Sequence, residues 1–311
     1  MKKIYKSKIL QGKITITSVS KEWLVVTKNS YKKSTYQTYS YIINRYIITS
    51  DISDCSLSRL KTIQLVQFSD ELISKGLSSK TINDIILILN SILKFASSNY
   101  KIEIPLAPRI KEKKKEMRVL SVLEQHKLEN YLKGNLNNYN FGVLLALYTG
   151  IRIGELCALQ WEDIKGGYII IRKTMNRLND ASGKSVVSIG SPKTPNSNRI
   201  VPIPNFLIAV VESRRKSAKE YILSTASLKY VEPRLMQIKF KKITQKCKLE
   251  NVTFHNLRHT FATRCVECGC DIKTLSEILG HSNVNTTLNQ YVHSSMELKQ
   301  MNIDKLGQFS V

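Results

Sequence analysis

The spacing of apolar residues predicts helices in the first third of the chain. The clearest run lies between residues 79 and 98, where an apolar side chain returns every three or four positions: Ile82, Ile85, Ile86, Leu89, Ile92 and Leu93. This spacing places one continuous apolar face on a helix. Three similar runs precede it, over residues 18–28, 34–47 and 58–76, and Ser58 is the predicted N-cap of the last. Together they predict a helical domain over residues 18–100, after an N-terminal tail over residues 1–17.

The pattern changes after residue 100. Residues 101–118 (KIEIPLAPRIKEKKKEMR) combine prolines with a run of charges and lack helical periodicity, which predicts a basic linker between two domains. The second domain is predicted over residues 119–293. Its first helix has the signature of a capping box, with Ser121 as the N-cap and Glu124 three residues later.

Strand signals interrupt the helical pattern of the second domain. Residues 168–174 (YIIIRKT) and 184–189 are rich in β-branched side chains, and Arg199 begins a short third run of this kind. The apolar pattern is helical from Asn138 to Tyr148 and again from Pro204 onward. The predicted fold class is therefore mainly α with a small antiparallel β-sheet.

A strong positive charge narrows the choice of partner. The chain has 48 Lys and Arg against 24 Asp and Glu, a net charge of +24, and basic residues exceed acidic ones both before and after residue 118. A folded chain with this excess favours a polyanion, and nucleic acid is the expected one because phosphate contacts by Lys and Arg dominate its binding. The sequence has no secretory signal and no apolar run of bilayer length. A cytoplasmic protein with no membrane partner is expected.

Six cysteines leave two interpretations open. Cys265, Cys268 and Cys270 lie close together, which resembles part of a metal site, but no second pair of Cys or His has the spacing of a zinc site. Free cysteines commonly behave as small buried apolar residues. The sequence favours reduced structural thiols over a metal site, and no cofactor is predicted.

Candidate chemistry is carried by polar residues at the ends of helices and turns. Arg152 follows a glycine in TGIRIGEL, at a helix start where the dipole and free N–H groups favour anions. Lys193 lies in the turn SPKTP between two predicted strands. His255 and Arg258 are three residues apart in HNLRHTFAT, which places both on one helix face. The neighbouring His259 is expected to be a structural hydrogen-bond partner.

Two further residues complete an ordered set. His281 lies in LGHSNVNTT, and Tyr291 follows it after a short helical run. A lone tyrosine on such a helix is more often a core residue. The order and contexts of the whole set nevertheless resemble the tyrosine site-specific recombinases, the phage integrase and Xer family. The motifs cover most of residues 119–293, and residues 18–100 resemble the family's SAM-like core-DNA-binding domain less specifically.

The resemblance implies that the enzyme cleaves and rejoins DNA strands through a 3′-phosphotyrosine. Tyr291 is then the nucleophile, and Arg152 and Arg258 bind the phosphate oxygens that gain charge in the transition state. Lys193 is implied to protonate the leaving 5′ oxygen. The covalent bond conserves the energy of the broken phosphodiester, so neither ATP nor a metal ion is required.

The family also implies roles for three further side chains. His255 is implied to help handle the proton of the nucleophile, and His281 to donate a hydrogen bond to a phosphate oxygen. Glu155 is implied to support the site by orienting a neighbouring side chain, although an acid in the first turn also stabilises its own helix.

The expected partners follow from the same resemblance. The chain is expected to bind double-stranded DNA core sites. It is expected to form a homotetramer on DNA and to be a monomer or weak dimer when free. An excisionase or a host DNA-bending protein is the expected accessory partner. Residues 1–17 are too few for a further DNA-binding domain, so an enzyme acting on simple core sites is expected. Residues 294–311 form a tail that either docks on a neighbouring protomer or folds back on its own domain.

The biological task remains open between several alternatives. Integration and excision of a mobile element are expected, and resolution of chromosome or plasmid dimers is the Xer-like alternative. A catalytically silent DNA-binding accessory protein is a different class, but DNA binding alone does not need the lysine, histidine and tyrosine together. A type IB topoisomerase shares the chemistry, but the helical first domain and the motif contexts favour a recombinase.

Overall fold

The computed structural model describes residues 14–112, 117–179, 185–191, 198–227, 229–291, 300 and 303–304. The chain divides into two compact units, Met1–Lys115 and Glu116–Val311. The predicted tail over residues 294–311 lies almost entirely outside the described residues. No helix in the described ranges is long and apolar enough to cross a membrane.

Helices build the first unit: α1 (Ile16–Thr27), α2 (Lys33–Ile42), α3 (Thr62–Ser74) and α4 (Ser79–Tyr100). A π-helical turn (Ile43–Ile47) continues α2, and a short 3₁₀ helix (Leu57–Arg59) precedes α3. The prediction of Ser58 as the cap of α3 is wrong, since Lys61 occupies the N-cap and its N–H donates to Gln64 Oε1 at 2.9 Å. Leu57 and Leu60 are both buried, and their packing keeps the chain in a tighter turn until α3 begins.

The core of the first unit is the apolar face of α4 packed against the other helices. The six apolar residues predicted to share that face are all fully buried. Two asparagines of α4 bind the segment that follows it: Asn83 exchanges two hydrogen bonds with Ile110, and Asn90 exchanges two with Ala107. Part of the segment predicted as a linker is therefore packed on α4.

The second unit contains more helices: α5 (Val122–Gly134), α6 (Asn138–Thr149), α7 (Ile153–Ala158), α8 (Asn205–Glu212), α9 (Pro233–Lys246), α10 (Phe254–Glu267), α11 (Ile272–Leu279) and α12 (Val284–Tyr291). The predicted capping box of α5 is confirmed, with the Glu124 N–H donating to Ser121 Oγ at 3.2 Å and the Ser121 N–H donating to Glu124 Oε2 at 2.9 Å. The apolar α6 lies at the centre, buried on all sides.

The prediction of continuous helical structure after Pro204 is wrong between α8 and α9. The described residues there form turns. Their backbone binds the segment after α7: the Trp161 N–H donates to Glu220 O at 3.0 Å, and the Ile222 N–H donates to Leu159 O at 3.0 Å. These tertiary hydrogen bonds satisfy backbone groups that a helix would have paired within itself.

The strands form two small antiparallel sheets instead of one. The first has the order β1–β2–β5, and the second pairs β3 with β4: β1 (Ile164–Lys165), β2 (Tyr168–Ile171), β3 (Thr174–Asn179), β4 (Ser185–Gly190) and β5 (Arg199–Pro202). The predicted strand over residues 168–174 is interrupted after Ile171. At this break Arg172 Nη2 lies 2.7 Å from Oδ1 of the buried Asp163, and this ion pair holds the chain where it passes from one sheet to the other.

Candidate active site

The site begins where α6 ends. Gly150 closes α6 with a left-handed φ of 64°, and a Cβ at this position would clash with the Phe261 ring. Only glycine fits both constraints. The turn places Arg152 at the N-cap of α7, where its backbone N–H donates to Glu155 Oε2 at 2.9 Å. The expected position of Arg152 at a helix start is confirmed.

Glu155 holds two guanidinium groups. Its Oε1 accepts from Arg152 Nη1 at 2.8 Å and from Arg199 Nη1 at 3.0 Å, and its Oε2 accepts from Arg199 Nη2 at 2.8 Å. Glu155 and the Arg199 side chain are almost fully buried. Burial raises the pKa of Glu155, but the hydrogen bond and charge of Arg199, followed by the charge of Arg152, outweigh it and bring the pKa below its ordinary value. Glu155 is therefore ionised at neutral pH and supports both arginines.

Arg199 was missed by the sequence interpretation, which assigned it only to a strand. Its Nε also donates to Ile278 O at 2.5 Å, which connects the first strand residue of β5 to the end of α11. A charged residue that begins an otherwise apolar strand was the available signal. Its pairing with Glu155 joins positions 44 residues apart in sequence, and local patterns do not reveal such a contact.

Arg258 is buried without a carboxylate. Its side chain donates from Nη1 to Gly150 O at 2.9 Å and from Nη2 to Leu279 O at 2.6 Å, and the residue is 2% exposed. None of the salt bridges within the described ranges involves it. Burial lowers its pKa, and the charges of Arg152 and Arg199 lower it further. Among the described residues Arg258 thus has no carboxylate partner, and its uncompensated positive charge favours an anion at this place.

Tyr291 lies between two histidines at the end of α12. Its hydroxyl is 2.8 Å from His259 Nδ1, and its ring lies nearly parallel to that of His281, with an interplanar angle of 6° and centroids 6.4 Å apart. The tyrosine is 6% exposed. Burial raises its pKa, while the charges of Arg258 and Arg152 pull in the opposite direction.

The three histidines of this region are held neutral. Burial lowers the pKa of His259 and of His281 to about 4, with further contributions from neighbouring positive charges. The pKa of His255 is also lowered, first by desolvation and then by Arg258 and Arg152, although part of its ring is exposed. His281 Nδ1 is 2.8 Å from Oγ1 of the buried Thr287. At neutral pH each ring therefore has one nitrogen that donates and one that accepts.

The structure brings most of the predicted site residues together. Arg152 contacts Glu155, the His281 and Tyr291 rings lie parallel, and Arg258 donates to the carbonyls of Gly150 and Leu279. His255 packs edge-to-face on His259 with ring centroids 4.5 Å apart, and it is His259 that contacts the tyrosine hydroxyl. Lys193 lies outside the described residues.

The cysteines take no part in these contacts. All six are free thiols, and burial raises the pKa of Cys265 to about 12. In the ranges that the structure describes, no three His, Cys, Asp or Glu side chains are grouped to hold a metal ion.

Comparison with known families assigns both parts of the chain. Residues 113–297 match the phage integrase family, and residues 15–73 match the N-terminal SAM-like domain of phage integrases. These matches, with the mainly helical structure and its small antiparallel sheets, confirm the predicted fold class.

Individual relatives agree with the family match. A tyrosine recombinase XerC-like protein of Caldanaerobacter subterraneus is 30% identical, over 94% of this chain and 83% of the relative. The ICEBs1 integrase of Bacillus subtilis is 28% identical, over 88% of this chain and 78% of its own. A solved structure of the Tn1549 transposon integrase, in complex with transposon right end DNA, superposes with a TM-score of 0.80 at 20% identity and covers 94% of this chain and 100% of its own. The chain therefore belongs to the phage integrase family and is a tyrosine recombinase, an enzyme that cleaves and rejoins DNA.

Proposed function

We propose that Tyr291 is the nucleophile of this recombinase and becomes bonded to a 3′ phosphate of DNA. The observation that carries the proposal is the neighbourhood of the tyrosine. The positive charges of Arg258 and Arg152 lower the pKa of its hydroxyl against the effect of burial, and Arg258 is a buried guanidinium whose described hydrogen bonds go only to backbone carbonyls. A phosphate at this place supplies negative charge for Arg258, which has no carboxylate partner among the described residues.

The arginines bind the phosphate. A guanidinium has five N–H donors, and the two carbonyl contacts of Arg258 leave others for the non-bridging oxygens. Arg152 is more exposed and faces the same site from α7. Such fixed donors stabilise the charge that develops on these oxygens when the phosphorus becomes five-coordinate. Glu155 and Arg199 position Arg152 and do not contact the phosphate in this scheme.

His281 is proposed to donate to a phosphate oxygen. In the 2.8 Å contact between Thr287 Oγ1 and His281 Nδ1 we assign the donor role to the hydroxyl, and the neutral ring then carries its proton on Nε2. That N–H is then available to the DNA. Thr287 is fully buried, so the tautomer is fixed by a side chain that solvent does not reach.

Bonds and protons balance across the two steps. In cleavage, the Tyr291 oxygen bonds to phosphorus, the bond from phosphorus to the 5′ oxygen breaks, and the 5′ oxygen gains a proton, which we assign to Lys193 on the family's pattern. His255 is assigned a part in accepting the tyrosine proton on the same ground. In rejoining, the 5′ hydroxyl of another strand attacks the phosphotyrosine and restores the phenol. No hydrolysis occurs, so no energy source is consumed.

The assembly follows from the number of reacting phosphates. Exchange between two duplexes involves four scissile phosphates, and each Tyr291 attacks one of them. We therefore propose a homotetramer on two double-stranded core sites, with a monomer or weak dimer in the free state. An excisionase or a host DNA-bending protein is proposed as an accessory partner.

Integration and excision of a mobile element are the biological role proposed. The similarity to an integrase of Bacillus subtilis supports this role. The XerC-like relative supports dimer resolution as the second candidate. Direct repeats and an excisionase gene beside the coding sequence would favour the first, and a single chromosomal site without repeats would favour the second.

Covalent trapping tests the nucleophile. A library of nicked duplexes with randomised sequence is incubated with the protein, and adducts that survive denaturation are isolated and sequenced. The wild-type chain is expected to yield an adduct at a defined sequence, and Tyr291→Phe is expected to bind that DNA without an adduct. Tyr168→Phe, at an exposed position of β2, is the matched control and keeps the adduct. An adduct in Tyr291→Phe, or none in the wild-type chain, contradicts the proposal.

A further inference from the structure

The hydroxyl of Tyr291 has a partner that the family pattern does not assign. Within the described residues its hydrogen bond goes to His259 Nδ1, at 2.8 Å, and not to His255. Both histidines lie on α10, four residues apart, on the same face of the helix. His259 directly follows Arg258, so one turn of α10 supplies both the buried guanidinium and the contact to the nucleophile.

We propose that His259 is a positioning residue that accepts the hydrogen bond of the Tyr291 hydroxyl and fixes the nucleophilic oxygen inside the site. The inference rests on the proposed role of Tyr291 as nucleophile. It adds a residue to the machinery and separates two tasks, because holding the hydroxyl falls to His259 and not to His255.

The state of the ring permits this role. Burial, His255 and Arg258 lower the pKa of His259 to about 4, so its ring is neutral at pH 7. A neutral ring that carries its proton on Nε2 has a lone pair on Nδ1 for the phenol O–H. A protonated ring would have two donors and would turn an N–H towards the hydroxyl instead.

His259 is an acceptor of a hydrogen bond rather than the final acceptor of the proton in this arrangement. The ordinary tyrosine pKa is 10.0 and burial raises that of Tyr291, while that of His259 is about 4. Complete proton transfer between them is therefore strongly unfavourable. The stable contact keeps the proton on the phenol and determines where the oxygen lies.

The surroundings keep both partners in place. His255 packs edge-to-face on the His259 ring, and the His281 ring lies parallel to the tyrosine ring. Tyr291 itself packs in a small cluster with Ala262 and Leu279. A tyrosine held in this way has little freedom to lose when the phosphate arrives, which favours reaction because misplacement by about 1 Å can cost roughly 100-fold in rate.

Two substitutions of His259 test the proposal, because one removes both the ring and the hydrogen-bond acceptor and the other removes the ring but keeps an acceptor. The rate of adduct formation is measured on the duplex trapped by the wild-type chain. His259→Ala is expected to slow the reaction roughly 10- to 100-fold, because the oxygen loses its fixed place. His259→Asn is expected to recover most of the rate, since its Oδ1 can occupy the place of Nδ1. His126→Ala, at an exposed position of α5, is the matched control and leaves the rate unchanged.

NMR can detect the contact between His259 and Tyr291 without any reaction on DNA. In protein labelled with ¹⁵N histidine and free of DNA, Tyr291→Phe is expected to shift the Nδ1 resonance of His259 and to leave that of His126 unchanged. An unaltered His259 resonance overturns the proposal even if His259→Ala does not fold. So does a His259→Ala rate equal to wild type, or a His259→Asn rate as low as that of His259→Ala.

Failure of the proposed function has a different signature. If Tyr291 is not the nucleophile, its Phe variant still forms an adduct, whatever the histidine resonances show. If Tyr291 is the nucleophile but His259 does not position it, Tyr291→Phe is inactive while His259→Ala reacts at the wild-type rate.

Discussion

The two units of the chain bury different kinds of side chain. Among the described residues of the first unit the buried polar side chains are all uncharged: Ser20, Ser50, Ser69 and Asn83. In the second, buried charges are added to the apolar core: Glu129, Glu155, Asp163 and Arg258. An apolar core specifies a fold through its pattern and volume alone. A buried charge needs a partner in a fixed place, and it is costly wherever that partner is removed.

The difference marks the part of the molecule where chemistry takes place. Glu155 and Arg258 lie in the candidate site, where Glu155 pairs with two arginines and the described hydrogen bonds of Arg258 go only to backbone carbonyls. Such an arrangement stores a preference for an anion at the expense of the stability of the free protein. The first unit carries no such cost in its described core. Each unit also contains one tryptophan, Trp23 and Trp161, so fluorescence can follow the two separately.

The largest expected effect comes from breaking the buried ion pairs. Glu155→Gln removes the carboxylate that Arg152 and Arg199 share, and it should lower the free energy of unfolding of the second unit by about 3–5 kcal/mol. The measurement is urea denaturation followed by Trp161 fluorescence in a Trp23→Phe background. Adduct formation should fall as well, because Arg152 loses the group that orients it.

Two controls sharpen this experiment. Glu212→Gln removes an exposed pair with Arg215 and should change stability by less than about 1 kcal/mol. Glu155→Gln should not change the unfolding midpoint of the first unit. This midpoint is measured by Trp23 fluorescence in a Trp161→Phe background. A loss for Glu155→Gln no larger than for Glu212→Gln would show that the buried network does not stabilise the second unit.

The next largest expected effect is a dependence of the second unit's stability on pH. All five histidines of the chain come after residue 116. The pKa of His259 and of His281 is about 4 in the folded state, against an ordinary value of 6.5. Below pH 6.5 the unfolded state therefore binds protons that the folded state does not bind. Stability is fully present above pH 6.5 and is lost as the pH falls towards 4.

Denaturation at pH 7.0, 6.0 and 5.0 tests this dependence. The urea concentration at the midpoint of unfolding, followed by Trp161 fluorescence, should fall as the pH falls. In a His259→Asn/His281→Asn double variant this midpoint should fall less. Glu155 and Glu124, whose pKa values lie below the ordinary 4.5, remain ionised in the folded state over this range and contribute little to the change. Equal slopes for the two proteins would contradict the lowered pKa values.

The smallest expected effect tests the apolar core, a feature that both units have. Ile86→Val in α4 and Ile169→Val in β2 each remove one methylene from a fully buried position, and each should cost about 0.5–1.5 kcal/mol in its own unit. Neither should change adduct formation per folded molecule. A loss confined to one unit would mean that the apolar cores, and not only the buried charges, differ between them.

The outcome at particular residues shows why some features were predictable. The apolar face of α4, the Ser121–Glu124 capping box and the helix start at Arg152 depend on residues within one or two turns, and the structure has them where the sequence placed them. The cap of α3 and the strand over residues 168–174 were wrong. Buried leucines delay the first, and the ion pair of Arg172 with Asp163 interrupts the second.

The candidate site divides in the same way. The ordered set Arg152, Lys193, His255, Arg258, His281 and Tyr291, with its motif contexts, carried the resemblance by which the sequence alone gave the family, the fold class and the reaction. Only the tertiary structure decided which side chains contact each other. Arg199 pairs with Glu155 across 44 positions, and His259 reaches Tyr291 across 32. Those contacts depend on how strands and helices pack, and no local period of the sequence encodes them.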